Sequence, residues 1–391
     1  MFNFRKFLLI FLASCLVFFT AACGNSEKGS SSGDTIKIGL NLELSGQVAS
    51  YASSAKEGAE LAVEEINAKG GIDGKKLELV TVDNKSDNSE STSAAIKLTT
   101  QEKVVAIIGP ATSGAVMAEK DVATENKTPV ITPSGTNERI TVNEDGSVNE
   151  YMFRTCFIDP FQGKIAATFA ADELKLKNAA IYTDNSSDYA KGLAAAFKET
   201  FLEKGGKIVA EEAYAAKDTD FRSTLTRIKA AKPDVVFIPG YYEEVGLIIK
   251  QARELGIDVP LIGGDGWDSP TLVKLAGNEA LNNAYMLAHY ASDDPDEKIQ
   301  SFVEAFKKKF NGKSPNGFNA LGYDSVYFLA DAIKRAGSLD GEKIKDALAE
   351  TKGLELVSGT LTVDENHNPI KAVTIMKFEN GTAKFHSKVN P

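Results

Sequence analysis

The feature that most constrains this chain is a strand and helix alternation that runs through residues 35 to 140 and then starts again. Its clearest unit is residues 104 to 140, where two short apolar runs, 104–108 and 129–131, are each followed at once by small hydroxyl and glycine residues, Ala111-Thr112-Ser113-Gly114 and Ser134-Gly135-Thr136. Between them residues 115–126 are rich in helix formers, with Val116, Ala118 and Val122 as apolar positions, so the unit reads strand, helix, strand. Parallel strands need such a crossover. In open sheets of this kind ligands bind beyond the carboxyl ends of the strands, where helix N-termini present unpaired N–H groups.

The pattern extends in both directions. Residues 35–43 and 76–83 alternate as strands, while 55–68 and 89–101 have helical spacing. After the polar, turn-rich stretch 142–147 come strands at 179–183, 207–213, 235–239 and 260–262, with helices at 189–203, 221–231 and 245–255. The expected class is α/β, with two Rossmann-like lobes of one plan. Beyond Tyr285 the pattern changes to helices at 296–310, 318–336 and 341–350, then to hairpin-like alternation from Gly359 through Phe378, and pattern alone assigns none of these to a lobe.

Ser113, Ser134 and Thr136 fall at strand ends, where each could cap the following helix or accept a ligand. Two hydroxyl turns on adjacent strands converge, which favours an anion. No G-x-x-x-x-G-K-[ST] or G-x-G-x-x-G is nearby, so carboxylate fits better than phosphate. In the second half Ser186-Ser187-Asp188-Tyr189, Gly240-Tyr241 and Gly263-Gly264-Asp265-Gly266 occupy the same kind of position. Asp265, between glycines, is either a solvated turn residue or the natural partner of an ammonium. Tyr189 and Tyr241 could cover that cation with their ring faces or merely close the core. Carboxylate binders on one lobe and an ammonium binder on the other describe an α-amino acid held between them.

The N-terminus has a different character. Arg5 and Lys6 precede the apolar run 7–19, and Ala21-Ala22 precede Cys23, so residues 1–22 are expected to be an export signal. The small residues and cysteine resemble a bacterial lipobox, with Thr20 where leucine is usual, which implies lipid on Cys23. Residues 23–34 then form a Gly/Ser-rich tether. A formal net charge of -10 argues against nucleic acid. With Cys15 in the signal and Cys23 acylated, Cys156 is left alone, most simply as a small buried hydrophobe. Three histidines, without H-E-x-x-H, a Cys/His metal cluster or G-x-S-x-G, argue against an enzyme, and no cofactor or metal is expected.

Taken together, Leu44-Ser45-Gly46 with Tyr51, Asn67-Ala68-Lys69-Gly70-Gly71-Ile72, Gly109-Pro110-Ala111-Thr112-Ser113, Tyr182-Thr183-Asp184 with Tyr189, Pro239-Gly240-Tyr241 and Gly264-Asp265-Gly266 resemble the leucine/isoleucine/valine-binding proteins of ABC importers, of the periplasmic-binding-protein type I fold. The resemblance covers the chain after the tether. It implies two lobes joined by a hinge: 35–153 plus 288–356, and 154–287 plus 357–391. It implies Ser113 and Thr136 on the ligand carboxylate with the Ser134 backbone assisting, Asp265 on the ammonium, Tyr189 and Tyr241 beside it, and Tyr51 and Phe318 along the side chain. Many relatives have glutamate where Asp265 stands. The implied partners are a branched-chain amino acid, ABC permease subunits and the membrane through Cys23, and the expected unit is a monomer. Binders of another amino acid, a short amide, urea or an aromatic acid, and a ligand-sensing domain, are the alternatives within the fold.

Overall fold

A computed structural model describes residues 35–390; the signal, Cys23 and the tether lie outside the described residues. The first sheet has five strands in the order β2-β1-β3-β4-β5, formed by β1 (Thr35–Leu42), β2 (Lys76–Asp83), β3 (Ala106–Ile108), β4 (Val130–Thr132) and β5 (Met152–Arg154). β1 pairs with β3, β3 with β4 and β4 with β5, all parallel. β3 and β4, read as AII and VIT, are buried along their whole length, which is why they are short apolar runs rather than alternating ones. The helices between them are α1 (Ala49–Ala68), α2 (Asn88–Ile96) and α3 (Ser113–Glu125).

The second sheet has seven strands, ordered β14-β13-β10-β9-β8-β6-β7. β6 (Asn178–Asp184), β7 (Lys207–Tyr214), β8 (Val235–Phe237), β9 (Leu261–Gly263) and β10 (Ala284–Ala288) pair in parallel. β13 (Val373–Glu379) and β14 (Thr382–Val389) add an antiparallel hairpin at one edge. Helices α4 (Asp159–Thr168), α5 (Asp188–Glu203), α6 (Arg222–Ala230), α7 (Tyr242–Glu254) and α8 (Pro270–Ala276) connect these strands. The expected α/β class with two Rossmann-like lobes holds.

The late helices sort themselves by packing. α10 (Gly317–Ala336) lies against α1, and α11 (Gly341–Ala349) lies against α10, so both cover the first sheet. α9 (Glu297–Lys309) shares an apolar cluster with Leu61 of α1. The chain therefore passes between lobes three times, after β5, after β10, and between the small ladder β11 (Leu354–Leu356)–β12 (Gly359–Leu361) and β13. Two of the passages are tied together, because the buried Lys371 donates to Thr155 O at 2.9 Å and to Ser358 Oγ at 2.6 Å. Asp324 of α10 accepts from the Val357 and Ser358 amides at 2.9 Å each.

Several elements differ from the sequence reading. α1 starts at Ala49 instead of 55, because its first turn carries alanines and serines that give no apolar period. α2 passes into a π-helical turn, Lys97–Glu102, inside what reads as one helix. α4 and β10 go unread. Asp159-Pro160 is a helix-start signal, with proline where its missing N–H costs nothing, while β10, AYMLA, is buried on both faces and shows no alternation. Cys156 is fully buried, and burial pushes its thiol up to about 12.

Candidate functional site

Between the lobes lies a small, tightly closed cavity of about 10 Å³ bordered by Tyr51, Ala111, Ser113, Ser134, Tyr189, Tyr241, Asp265, Gly266 and Phe318. Larger hollows exist on the surface, including one of about 270 Å³ beside Glu65, Tyr323 and Tyr327. There both tyrosine hydroxyls already donate to Glu65 Oε2, at 2.6 and 2.8 Å. The interlobe cavity is different, because its polar groups are only partly paired.

On the first lobe, the turn after β3 is braced from below. The buried Glu43 carboxylate accepts from the Ala111 and Thr112 amides, each at 3.0 Å, and from the Thr112 hydroxyl at 2.7 Å. Burial raises the pKa of Glu43, while these donors oppose the shift. Thr112 is the N-cap of α3, but its hydroxyl is committed to Glu43, so no side chain caps the helix. The positive end of α3 is thus left open beside Ser113, its first residue.

The three hydroxyls have distinct states. Ser113 Oγ accepts from Asn137 N at 3.2 Å, which leaves its proton free to donate. Ser134 Oγ donates to Ala111 O at 2.7 Å, so its hydroxyl is spent within the lobe. Thr136 Oγ1 is buried, with only the Asp159 carboxylate near enough to take its proton. Thr136 is not on the cavity wall itself but lies beside Asp159. The buried Arg154 holds this turn by donating to Gly135 O at 2.8 Å and Asn137 O at 2.9 Å.

On the second lobe Asp265 is buried, at 3% exposure, so it is not a solvated turn residue. Its Oδ1 accepts from Gln162 Nε2 at 3.1 Å, and its Oδ2 lies 3.0 Å from His289 Nε2. Burial lowers the pKa of His289, favouring the neutral ring, which then donates from Nε2. Gln162 Oε1 also accepts from the Asp265 amide at 2.7 Å, and the Tyr189 hydroxyl accepts from the Gly266 amide at 3.1 Å. Gly264 makes this possible: a Cβ there would lie 2.4 Å from both Gln162 Oε1 and Tyr189 OH.

Rings close the remaining sides. Tyr189 and Tyr241 stack at 5.2 Å, and Tyr51 stacks on Phe318 at 4.3 Å. The Tyr51 hydroxyl donates across the cleft to Gly266 O, so its polar end is satisfied and the face toward the cavity is apolar. Val48, Tyr51, Ala111 and Phe318 of the first lobe join the apolar cluster of the second, as expected of lobes drawn together.

Such a site has donors and a helix N-terminus on one side, carboxylates on the other, and aromatic walls between. The family profile described as Periplasmic binding protein matches residues 35–383. The chain belongs to the periplasmic binding protein family. The Leu/Ile/Val-binding protein of Rhizobium johnstonii is 34% identical to this periplasmic binding protein over 348 residues, 88% of this chain and 92% of that one. The branched-chain amino acid transporter substrate binding protein LivJ of Streptococcus pneumoniae, solved with isoleucine, is 43% identical with a TM-score of 0.86, covering 91% of this chain and 100% of its own. A solute binding protein of R. palustris, solved with benzoate, is 26% identical with a TM-score of 0.82, covering 91% and 97% respectively.

Of the eight ligand residues expected from sequence, seven border the cavity and Thr136 stands behind it. Sequence reasoning missed four groups that shape this binding protein's site: Glu43, Arg154, Asp159 and the Gln162/His289 pair. Asp159 matters most. Its buried carboxylate has no neighbour but the Thr136 hydroxyl to compensate it among the described residues, and burial together with the Asp265 charge pushes its carboxyl well above the usual range, against that hydroxyl. Its signal was the Asp-Pro helix start; the others had none, since bracing groups look like any polar residue near a strand end.

Proposed function

We propose that this protein is the extracytoplasmic substrate-binding component of an ABC importer, taking branched-chain L-amino acids between its lobes and delivering them to permease subunits. The observation that carries the reading is the Ser113 hydroxyl, its proton free, and the buried Asp265 carboxylate on opposite lobes around one small cavity, with Thr136 and the buried Asp159 beside each other off its wall. The ligand carboxylate lies on Ser113, Thr136 and the backbone at Ser134, and its ammonium on Asp265 with Asp159 near. Tyr189 and Tyr241 cover the ammonium end. Tyr51 and Phe318 border an aliphatic side chain with apolar ring faces.

The lobes are residues 35–153 plus 288–356 and 154–287 plus 357–391, hinged at the three passages. The protein works as a monomer, tethered by lipid on Cys23 after removal of residues 1–22. A second reading, an aromatic acid as ligand, is favoured by the benzoate-binding neighbour. It leaves Asp265 and Asp159 without a cation, and a buried carboxylate lacking one is costly.

The test is thermal unfolding of the soluble domain with free amino acids, and with acetamide, urea and benzoate as controls. Ligand at about a thousand times its dissociation constant stabilises the native state by roughly 4 kcal/mol. A shift with isoleucine, leucine or valine supports the reading, and a shift with benzoate alone overturns it.

A further inference from the structure

We propose that Asp268 and the first residue of α10, Gly317, form a closure latch outside the ligand chamber, which sets affinity by setting how firmly the two lobes hold together. The proposal rests on the amino-acid-binding reading above and adds a positioning pair that touches no ligand.

Asp268 follows the short turn Asp265–Trp267 on the second lobe. Its Oδ2 accepts from Gly317 N at 2.8 Å, across the cleft on the first. The start of α10 leaves that amide free for it. Asn316 and Asn319 satisfy each other in a capping box, Asn316 Oδ1 accepting from Asn319 N at 3.1 Å and Asn319 Oδ1 from Asn316 N at 2.9 Å. Gly317 N is outside this exchange, at the positive end of a 20-residue helix. The helix start is also fixed to its own lobe, because Asn319 Nδ2 donates to Ser54 O at 2.7 Å and Asn316 Nδ2 to Ser54 Oγ at 3.2 Å. The carboxylate therefore meets a rigid donor.

The second observation is Gly317 itself. A Cβ at this position would lie 2.7 Å from Asp268 Oδ2, so a side chain there forces the carboxylate aside and weakens the contact. Beyond its own helix and chain neighbours, only Asp268 Oδ2 and Cγ lie within 4 Å of that Cβ, so any constraint on this position from elsewhere in the protein comes from the other lobe. Further bonds continue the rim: Ser50 Oγ lies 2.8 Å from Ser269 Oγ, and Tyr242 OH donates to Gln47 O at 2.9 Å. Asp268, Ser269, Tyr242, Gln47, Ser50 and Gly317 are all absent from the cavity wall. Lobe separation breaks every one of these bonds and no intralobe one.

The experiment measures isoleucine binding and dissociation by the full soluble domain for the parent, Asp268→Ala, Asp268→Asn, Gly317→Ala and the double alanine variant. A charge-assisted hydrogen bond of this kind corresponds to about 10- to 100-fold in affinity. Asp268→Ala and Gly317→Ala each weaken isoleucine to that extent through faster dissociation, with association within about threefold. The double variant is no weaker than the worse single one, since both remove the same bond. Asp268→Asn keeps a neutral acceptor and recovers part of the loss. Gly317→Ala leaves the free protein's melting temperature unchanged or higher, alanine being the better helix former, so its loss is not unfolding. Affinities within twofold of the parent for both alanine variants overturn the latch. If the parent does not bind isoleucine, that failure belongs to the reading above, and the latch is read instead from the separation of one dye on each lobe. Asp268→Ala must then lower the closed fraction, and an unaltered fraction overturns it.

Discussion

Replacing Asp265 with asparagine tests the ammonium assignment with the least disturbance to the fold. The carboxylate is buried, and its two oxygens rest on Gln162 Nε2 and His289 Nε2. An asparagine keeps the shape. Its oxygen accepts from Gln162, and its amide nitrogen donates to His289 once the ring moves its proton to Nδ1, which has no other partner among the described residues. The free protein is therefore expected to lose no more than about 1 kcal/mol, the worth of one neutral hydrogen bond. Binding loses more, because truncating the partner of a buried charge costs about 2–5 kcal/mol. Asp159 remains nearby as a second carboxylate, which places the loss near the lower limit, roughly 30- to 100-fold in dissociation constant. Calorimetric titration with isoleucine, alongside thermal unfolding of the free variant, measures both terms. An affinity within threefold of the parent in a folded variant refutes the assignment.

Ser113→Ala combined with Thr136→Ala removes two donors to the ligand carboxylate and is expected to weaken leucine, isoleucine and valine by the same factor; a titration series showing selective loss of one of them contradicts the role. Lys371, buried between two interlobe passages, is pushed down to about 8 by burial, from an ordinary 10.5. Between those values the unfolded chain holds a proton the native state has lost, so this group makes stability rise with pH from about 8 to 10.5, with its penalty in full force below 8. Chemical denaturation across that range should show the rise in the parent and not in Lys371→Met. Cys156, with its thiol pushed up to about 12, should resist alkylation at pH 8 in the native protein and react once it is unfolded, as mass spectrometry would record.

The parts of the fold that could be read from sequence were those whose burial is one-sided or whose ends are punctuated. β2, at an edge of its sheet, alternates and was placed residue for residue at 76–83. β10 is equally regular in space but is buried on both faces, so no period marks it. The site divides along a similar line. Residues facing the ligand sit at strand ends next to glycines, and that context drew attention to Ser113, Tyr241 and Asp265. The groups holding them in place have no such context: Glu43 stands just past the end of β1, Arg154 lies in a three-residue strand, and His289 follows β10, which shows no period in the sequence. Nor could sequence tell which hydroxyl was free. Ser134 and Thr136 stand two residues apart in the same turn, yet one donates to Ala111 O and the other has only the Asp159 carboxylate near it.

The two acidic groups explain why closure should depend on the right ligand. Closure withdraws Asp265 and Asp159, both on the second lobe, from water, and the Asp265 charge adds to burial in disfavouring the ionised form of Asp159. With no cation between them, closure must either protonate one or leave like charges in a poor solvent, both unfavourable near neutral pH. An α-ammonium removes that penalty, and its own carboxylate, at the far side, meets Ser113, Thr136 and the open end of α3. A simple acid satisfies only the second half and leaves the first untouched. Neutralising both carboxylates, as Asp159→Asn with Asp265→Asn, should then narrow the preference for amino acid over benzoate from both directions: isoleucine weakens while benzoate holds or improves. Competition between the two ligands in a thermal-shift titration measures this directly, and a double variant that keeps the parent's preference would mean that discrimination resides in the walls and not in the charges.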